Sequence, residues 1–186
     1  VLNTTGSNFE AIQTNVIGTN NVIDAALDSN VLKVIFTSSD KAVNPTSAMG
    51  ASKLLAERLI LSANGYVGFK PTRFSSVRFG NVLNSNGSIL KIFEKQTVNG
   101  EMLTITSPDM TRFFLTMNQA VDLCLETACN MCGGEIFIKN MGACDILTLA
   151  KAYSKNEGAF EYREIGIKPG EKMWEELVTD AEVNRT

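Results

Sequence analysis

Short apolar runs rich in β-branched residues alternate along this chain with longer stretches of helical periodicity, and few architectures accept that rhythm. Val31 to Phe36, "VLKVIF", is too short for a helix and suits a buried parallel strand. Phe74 to Phe79 and Gly134 to Lys139 repeat the type, and Met102 to Thr106 and Tyr162 to Ile167 read as shorter extended pieces. Before the first run, Phe9, Ile12, Val16, Ile23 and Leu27 recur at helical spacing, so a helix is expected to Asp28. Ser7-Asn8-Phe9-Glu10 reads as its capping box, with Ser7 as the cap. Asn44-Pro45-Thr46-Ser47 breaks the chain before a helix over about Ala48 to Ala63. Further helices are expected over Ser88 to Val98, Asn118 to Ala128, and Asp145 to Tyr153 with Asp145 as cap. Strands separated by helices must be joined by crossovers, which gives an α/β fold around a parallel sheet.

With 186 residues the chain can bury a sizeable core, and 44% hydrophobic with 20% charged residues is an ordinary globular composition. A net charge of −3 offers no basic surface for nucleic acid, and no apolar run has the length of a membrane span. Histidine is absent, which removes Ser-His-Asp and Cys-His chemistry together with the commonest general base. Of four cysteines, Cys129 and Cys132 have the C-x-x-C spacing, but Cys124 and Cys144 form no second pair. Free thiols, buried or half-buried, are expected rather than a metal or redox site. So few cysteines in a chain of this size point to the cytoplasm.

Thr37 to Lys53, "TSSDKAVNPTSAMGASK", concentrates the chemistry. Ser38, Ser39, Asp40 and Lys41 follow the first strand at its carboxyl end, the functional edge of an open α/β sheet. The next helix carries Lys53 on its first turns, where it can return to the same edge. Arg78-Phe79-Gly80-Asn81 brings polar atoms to the end of the following strand. A dinucleotide site of this kind begins with a glycine-rich turn at a helix N-terminus. No G-x-G-x-x-G occurs among the 186 residues.

Six segments in order carry a resemblance: "TNVIGTNNVIDAA" from Thr14, "SSDKAVNPTSAMGASKLLAERL" from Ser38, "VRFGNVLNSNGSI" from Val77, "SPDMTRFFLTMNQAV" from Ser107, "GGEIFIKNMG" from Gly133 and "IKPGEKMWEEL" from Ile167. The chain resembles the nucleotide-sugar 4,6-dehydratases of the extended short-chain dehydrogenase/reductase superfamily. Within these it is most similar to the capsule and flagellin-glycosylation branch acting on UDP-N-acetylglucosamine. The resemblance implies the carboxyl-terminal part of a Rossmann-like doubly wound parallel sheet plus a small mixed α/β substrate-binding region. Residues 1–100 would be the second half of the NAD(P)-binding domain, and 101–186 mainly the nucleotide-sugar region, interleaved with it. The glycine-rich turn and first strands of the family precede the segment that opens this chain. NADP or NAD as cofactor, a UDP-sugar as substrate and a homo-oligomeric whole protein are also implied. The setting implied is cytoplasmic, or the cytoplasmic domain of a membrane-anchored protein.

Roles transfer by position. Ser39 takes the hydroxyl role and Lys53 that of the ribose-binding lysine, while Met49 occupies the place where the superfamily usually keeps a tyrosine. One branch of these dehydratases resembles the chain in having methionine there. A thioether cannot exchange a proton, so Lys41, Asp40 or Lys53 with the ribose must assist oxidation at C4. The family uses the acid and base of the Asp-Lys pair for elimination across C5 and C6, which implies Lys41 as base and Asp40 as acid. Ser38, Lys53 and Phe79 are implied at the cofactor, and Asn81, Arg112, Lys168 and Glu171 at the sugar nucleotide. Arg112 suits a phosphate through its guanidinium fork, with a salt bridge to Asp109 or Glu135 as the alternative. Lys168 stands where relatives often keep arginine, and retains the charge without the fork. Trp174 is expected to pack rather than to stack on a base. Two other readings stay open: a UDP-sugar 4-epimerase, which needs no elimination pair, and an incompetent subunit or binding module.

Overall fold

A computed structural model describes residues 5–154 and 161–184, with side chains from residue 8 onward. The chain gathers into two compact units: Val1–Phe79 with Val121–Lys139 and Glu176–Thr186, and Gly80–Ala120 with Asn140–Glu175.

The first unit is built on a parallel sheet of β1 (Lys33–Ser39), β2 (Arg73–Phe79) and β6 (Ile136–Ile138), in the order β1-β2-β6. Residues are paired from Lys33 with Arg73 to Ser39 with Phe79, so β1 and β2 end level at the carboxyl edge. Helical backbone covers one face: α1 (Thr5–Ala11), a π-helical stretch Ile12–Ile17, α2 (Gly18–Asp28), and α3 (Ala48–Ser62) between β1 and β2. Ile23 and Ala26 of α2 meet Ile60 of α3, Ala63 and Phe74, with Val34 and Phe36 against them. This apolar contact is what fixes α3 on the sheet, since burial of such side chains contributes roughly 1.5–3 kcal/mol each. On α5 (Met117–Asn130), Ala120, Leu123 and Thr127 are buried at helical spacing, and Lys33 Nζ donates to the carbonyls of Ala128 and Cys129 at its last turn.

The second unit holds β3 (Asn81–Val82), α4 (Ile89–Val98), β4 (Leu103–Ile105), β5 (Thr111–Leu115), β7 (Ala143–Asp145), α6 (Ile146–Ser154) and β8 (Tyr162–Glu164). β5 lies between β3, parallel to it, and β7, antiparallel, while β4 pairs with β8. Its core is Phe93, Leu103, Ile105, Met110, Ile146 and Ala150, with Phe93 and Tyr153 rings 5.6 Å apart. Asp145 caps α6 as the sequence suggested: the Thr148 amide donates to Asp145 Oδ1 at 2.6 Å, and that bond holds the carboxyl below its usual range. A final short helix, α7 (Asp180–Val183), belongs to the first unit.

Five expectations are corrected. The backbone is already helical at Thr5, so Ser7 lies within the helix instead of capping it, and its side chain is outside the described residues. β1 begins at Lys33, and Val31 and Leu32 are exposed. β1 also has one strand neighbour among the described residues, so it is half-buried where β2, flanked on both sides, is buried from Phe74 to Arg78. Cys129 and Cys132 are exposed because they sit where α5 ends, whereas Cys124 and Cys144 are half-buried, and burial raises the pKa of both. Trp174 is 66% exposed. The Thr111 amide donates to the carbonyl of Met173, whose side chain packs into the core, and its neighbour is turned outward.

Candidate active site

Where β1 stops, Ser39 turns the chain. Its extended backbone (φ −150°, ψ 157°) and its Oγ, which accepts from the Lys41 amide, start a single 3₁₀ turn, Asp40–Ala42. A turn this tight forces neighbours in sequence to be neighbours in space. Asp40 is fully buried, and its Oδ1 accepts from Ser39 Oγ at 2.8 Å and from Lys41 Nζ at 3.0 Å. Lys41 itself is 43% exposed, so the pair joins a buried acid to an accessible amine. Asp40 Oδ2 and Ser38 Oγ are both buried with no hydrogen-bond partner among the described residues. A polar atom left that way costs roughly 1–3 kcal/mol, so each calls for a partner that the described residues do not supply.

The segment that follows closes on this turn. Asn44 takes a left-handed backbone (φ 43°), Pro45 ends the turn, and Ser47 caps α3 by accepting from the Gly50 amide at 3.1 Å. Gly50 lies so close that a Cβ there would strike the Lys41 carbonyl and the Pro45 side chain. Lys53 then reaches back to β1: its Nζ lies 3.5 Å from the Thr37 carbonyl and 5.3 Å from the centre of the Phe36 ring. Burial lowers its pKa. Ser38, Ser39, Asp40, Lys41 and Lys53 are thus brought to one edge, and Phe79, paired with Ser39 across the sheet, joins them.

Met49 is 52% exposed on the first turn of α3. Its Sδ accepts from Asn15 Nδ2 at 3.4 Å, and the same amide donates to Ser52 Oγ at 2.9 Å. Asn15 belongs to the π-helical stretch, a deformation often found at functional sites. An extra residue in a turn shifts the apolar stripe by about 100°, and too few apolar residues lie between Phe9 and Val16 to show that shift in the sequence.

The other four candidates lie in the second unit. Asn81 Nδ2 donates to the Phe113 carbonyl at 3.4 Å, and beside it a Cβ on Gly80 would come within 2.7 Å of Phe113. Arg112 forms neither of the salt bridges weighed as the alternative to phosphate binding. Its Nη1 donates to the Thr111 and Met173 carbonyls, while Glu135 is occupied by Ser75 Oγ and the amides of Cys132 and Gly133. Nε and Nη2 of Arg112 make no hydrogen bond among the described residues, so the far side of the fork stays available for an anion. The carboxylate of Glu171 accepts from the Lys168 amide at 3.0 Å, closing the Lys168–Glu171 turn on itself.

A family model described as "polysaccharide biosynthesis protein" matches residues 4–186. An uncharacterized membrane protein of Methanocaldococcus jannaschii is 50% identical over 183 residues, 94% of this chain and 55% of that protein. A UDP-N-acetylglucosamine 4,6-dehydratase (inverting) of Campylobacter jejuni is 40% identical over 179 residues, 96% of this chain and 53% of its own length. A UDP-glucose 4-epimerase of Rickettsia rickettsii is 43% identical over 180 residues, 94% and 52% of the two chains. Among solved structures, Pen from Bacillus thuringiensis superposes with a TM-score of 0.90 at 44% identity, over 96% of this chain and 57% of that one. The chain therefore spans about half the length of these relatives. Matched from end to end in sequence, and sharing a parallel α/β sheet of Rossmann type, it belongs to the polysaccharide biosynthesis protein family.

Proposed function

We propose that this chain carries the reacting edge and the sugar-nucleotide residues of a nucleotide-sugar 4,6-dehydratase acting on UDP-N-acetylglucosamine. The observation that carries the reading is the buried Asp40 carboxyl, bound through Oδ1 to both Ser39 and Lys41 and unpartnered at Oδ2. Elimination across C5 and C6 needs a base and an acid side by side. Moving one proton from Lys41 to Asp40 across their 3.0 Å contact yields a neutral amine and a carboxylic acid without changing the net charge of the pair. Lys41, the exposed member, then takes the C5 proton and returns one to C5 when hydride adds at C6. Asp40 gives its proton to the C6 hydroxyl, which leaves as water, and the proton released by oxidation of the C4 hydroxyl makes good that loss. Ser39 orients the carboxyl through its hydroxyl. Met49 contributes shape alone, since a thioether has no proton to exchange.

NADP or NAD, when bound, supplies the oxidation of the C4 hydroxyl that acidifies C5 and the hydride that returns to C6. The residues that would hold its nicotinamide-ribose end are Ser38, whose buried Oγ has no partner among the described residues, and Lys53, half-buried with its Nζ 3.5 Å from the Thr37 carbonyl. In the second unit, Arg112 and Lys168 offer positive charge to a diphosphate and Asn81 an amide. The relative described as an inverting dehydratase supports the reading. A 4-epimerase is the second reading, favoured by the 43% identity to a protein of that description. It gives Asp40 and Lys41 no elimination to perform.

The test is incubation of the whole protein that carries this chain with UDP-N-acetylglucosamine and NADP or NAD. A product lighter by one water is expected. An isobaric product would establish an epimerase, and no product with either cofactor would exclude the dehydratase reading, leaving the epimerase reading to be tested with UDP-glucose, the sugar nucleotide in that relative's description.

A further inference from the structure

At the end of β2 one side chain does something the reaction does not call for. Arg78 is 1% exposed, and its five N–H groups are all used. Nε and Nη2 donate to the two Glu57 oxygens at 2.9 and 2.6 Å, and Nη1 and Nη2 to the two Glu182 oxygens at 2.8 and 2.9 Å. The fifth bond, from Nη1, goes to the Leu177 carbonyl at 2.9 Å. Glu57 is fully buried on α3, one turn beyond Lys53. Glu182 is 20% exposed and also closes the capping box of α7 through the Thr179 amide.

Burying a guanidinium between two carboxylates is a poor route to stability, because apolar side chains of the same volume serve as well or better. Such a cluster does provide a single geometry, as each fork accepts its partner in one plane only. Three pieces meet at this one: the helix bearing Lys53, the strand ending in Phe79, and the segment from Glu176 to Val183. That segment reaches the reacting turn a second time, since Asn44 Nδ2 donates to Glu176 Oε2 at 2.7 Å. Asn44 directly follows Val43, whose amide donates to the Asp40 carbonyl at 3.0 Å and closes the turn that presents Asp40 and Lys41.

We propose that Arg78 is a positioning residue, and that Glu176–Val183 is a brace which, through Arg78 and Asn44, holds α3 and the Asp40–Val43 turn in register. Arg78 touches no reacting atom; it acts through Glu57 on the helix of Lys53. The brace acts through Asn44 on the turn. The inference rests on reading Asp40 and Lys41 as the reacting groups.

Two measurements on the whole protein, comparing wild type with Arg78→Lys, Glu182→Ala and Asn44→Ala, separate it from a purely structural role. The first is steady-state kinetics with UDP-N-acetylglucosamine. Misplacing reacting groups by a fraction of an ångström should lower kcat about tenfold or more while KM stays within about threefold. The second is hydrogen exchange at the amides of Lys41 and Val43, which should quicken about tenfold in each variant as the turn loses its support. Should Arg78→Lys not fold, Glu182→Ala decides, its side chain reaching the surface. Variants that fold and melt lower, yet keep wild-type kcat and wild-type exchange at Val43, overturn the proposal. A whole protein with no turnover of UDP-N-acetylglucosamine refutes the proposed reaction, while exchange at Val43 still decides the brace.

Discussion

Two adjacent residues carry most of the chemistry assigned to this chain, and each role has its own substitution. Lys41→Ala removes the proposed base and Asp40→Asn the proposed acid, and groups of this kind contribute roughly 10²–10⁴-fold each to the rate. Turnover of UDP-N-acetylglucosamine by the whole protein should fall by that order in either variant, and because the two act on one elimination the double variant should be little worse than the singles. Either single variant retaining more than half of wild-type turnover defeats the assignment. Met49→Leu should behave oppositely. The side chain is half-exposed and its sulfur makes one long contact, with Asn15, so a swap of similar volume should cost less than about 1.5 kcal/mol and leave turnover within a few-fold. Loss of nearly all activity in a folded Met49→Leu protein would give the sulfur a role. At this scale the sequence is most readable where the contacts are local. Ser39, Asp40 and Lys41 touch because a single turn holds them, whereas Arg78 meets partners 21 and 104 residues away. In sequence, Glu57 among the buried residues of α3 and Arg78 within a buried strand were the trace of that cluster.

Elements show how the turn is held and what loosens it. The close approach of Gly50 to the Lys41 carbonyl lets α3 start directly against the 3₁₀ turn. Gly50→Ala should therefore displace the turn, at roughly the 1–3 kcal/mol of an overpacked contact, and lower activity more than stability. A denaturant melt beside an activity assay checks both, and an Ala variant as active as wild type would mean the turn yields freely. The C-terminal helix gives a pH dependence of definite sign. The hydrogen bonds from Arg78 hold Glu182 at about 2, below its ordinary 4.5, against the opposing effect of burial. A depressed carboxyl contributes stability above its unfolded pKa and loses it as pH falls towards its folded one. Unfolding free energy should therefore drop between pH 4.5 and 2 by about 1–3 kcal/mol more in wild type than in Glu182→Gln, solvent screening favouring the lower figure. Parallel pH profiles would show that the ion cluster adds nothing. Helices and long strands were legible because their periods repeat, and β4, β6 and β8 fall inside pieces read as extended, whereas β3, β5 and β7 lie inside polar motifs, where "TRFFL" was hidden.

At the scale of the molecule, the alternation of strands and helices conveyed the parallel sheet, and the ordered motifs conveyed the family. What neither contains is a cradle for a pyrophosphate. The 186 residues have fourteen glycines but no G-x-G-x-x-G, and the residues proposed for a dinucleotide, Ser38 and Lys53, would serve its ribose end only. A glycine-rich turn at a helix N-terminus offers several charge-assisted hydrogen bonds, each worth about 1.5–3 kcal/mol. Forgoing two of them lowers affinity by roughly a hundredfold or more. The 186-residue chain by itself should therefore show no dehydratase turnover and no tight binding of NADP, while the whole protein shows both. Titration calorimetry of NADP into the purified chain measures this directly. Micromolar affinity there would mean that the cofactor is held by residues other than those named, and would overturn the placement of Ser38 and Lys53 at its ribose.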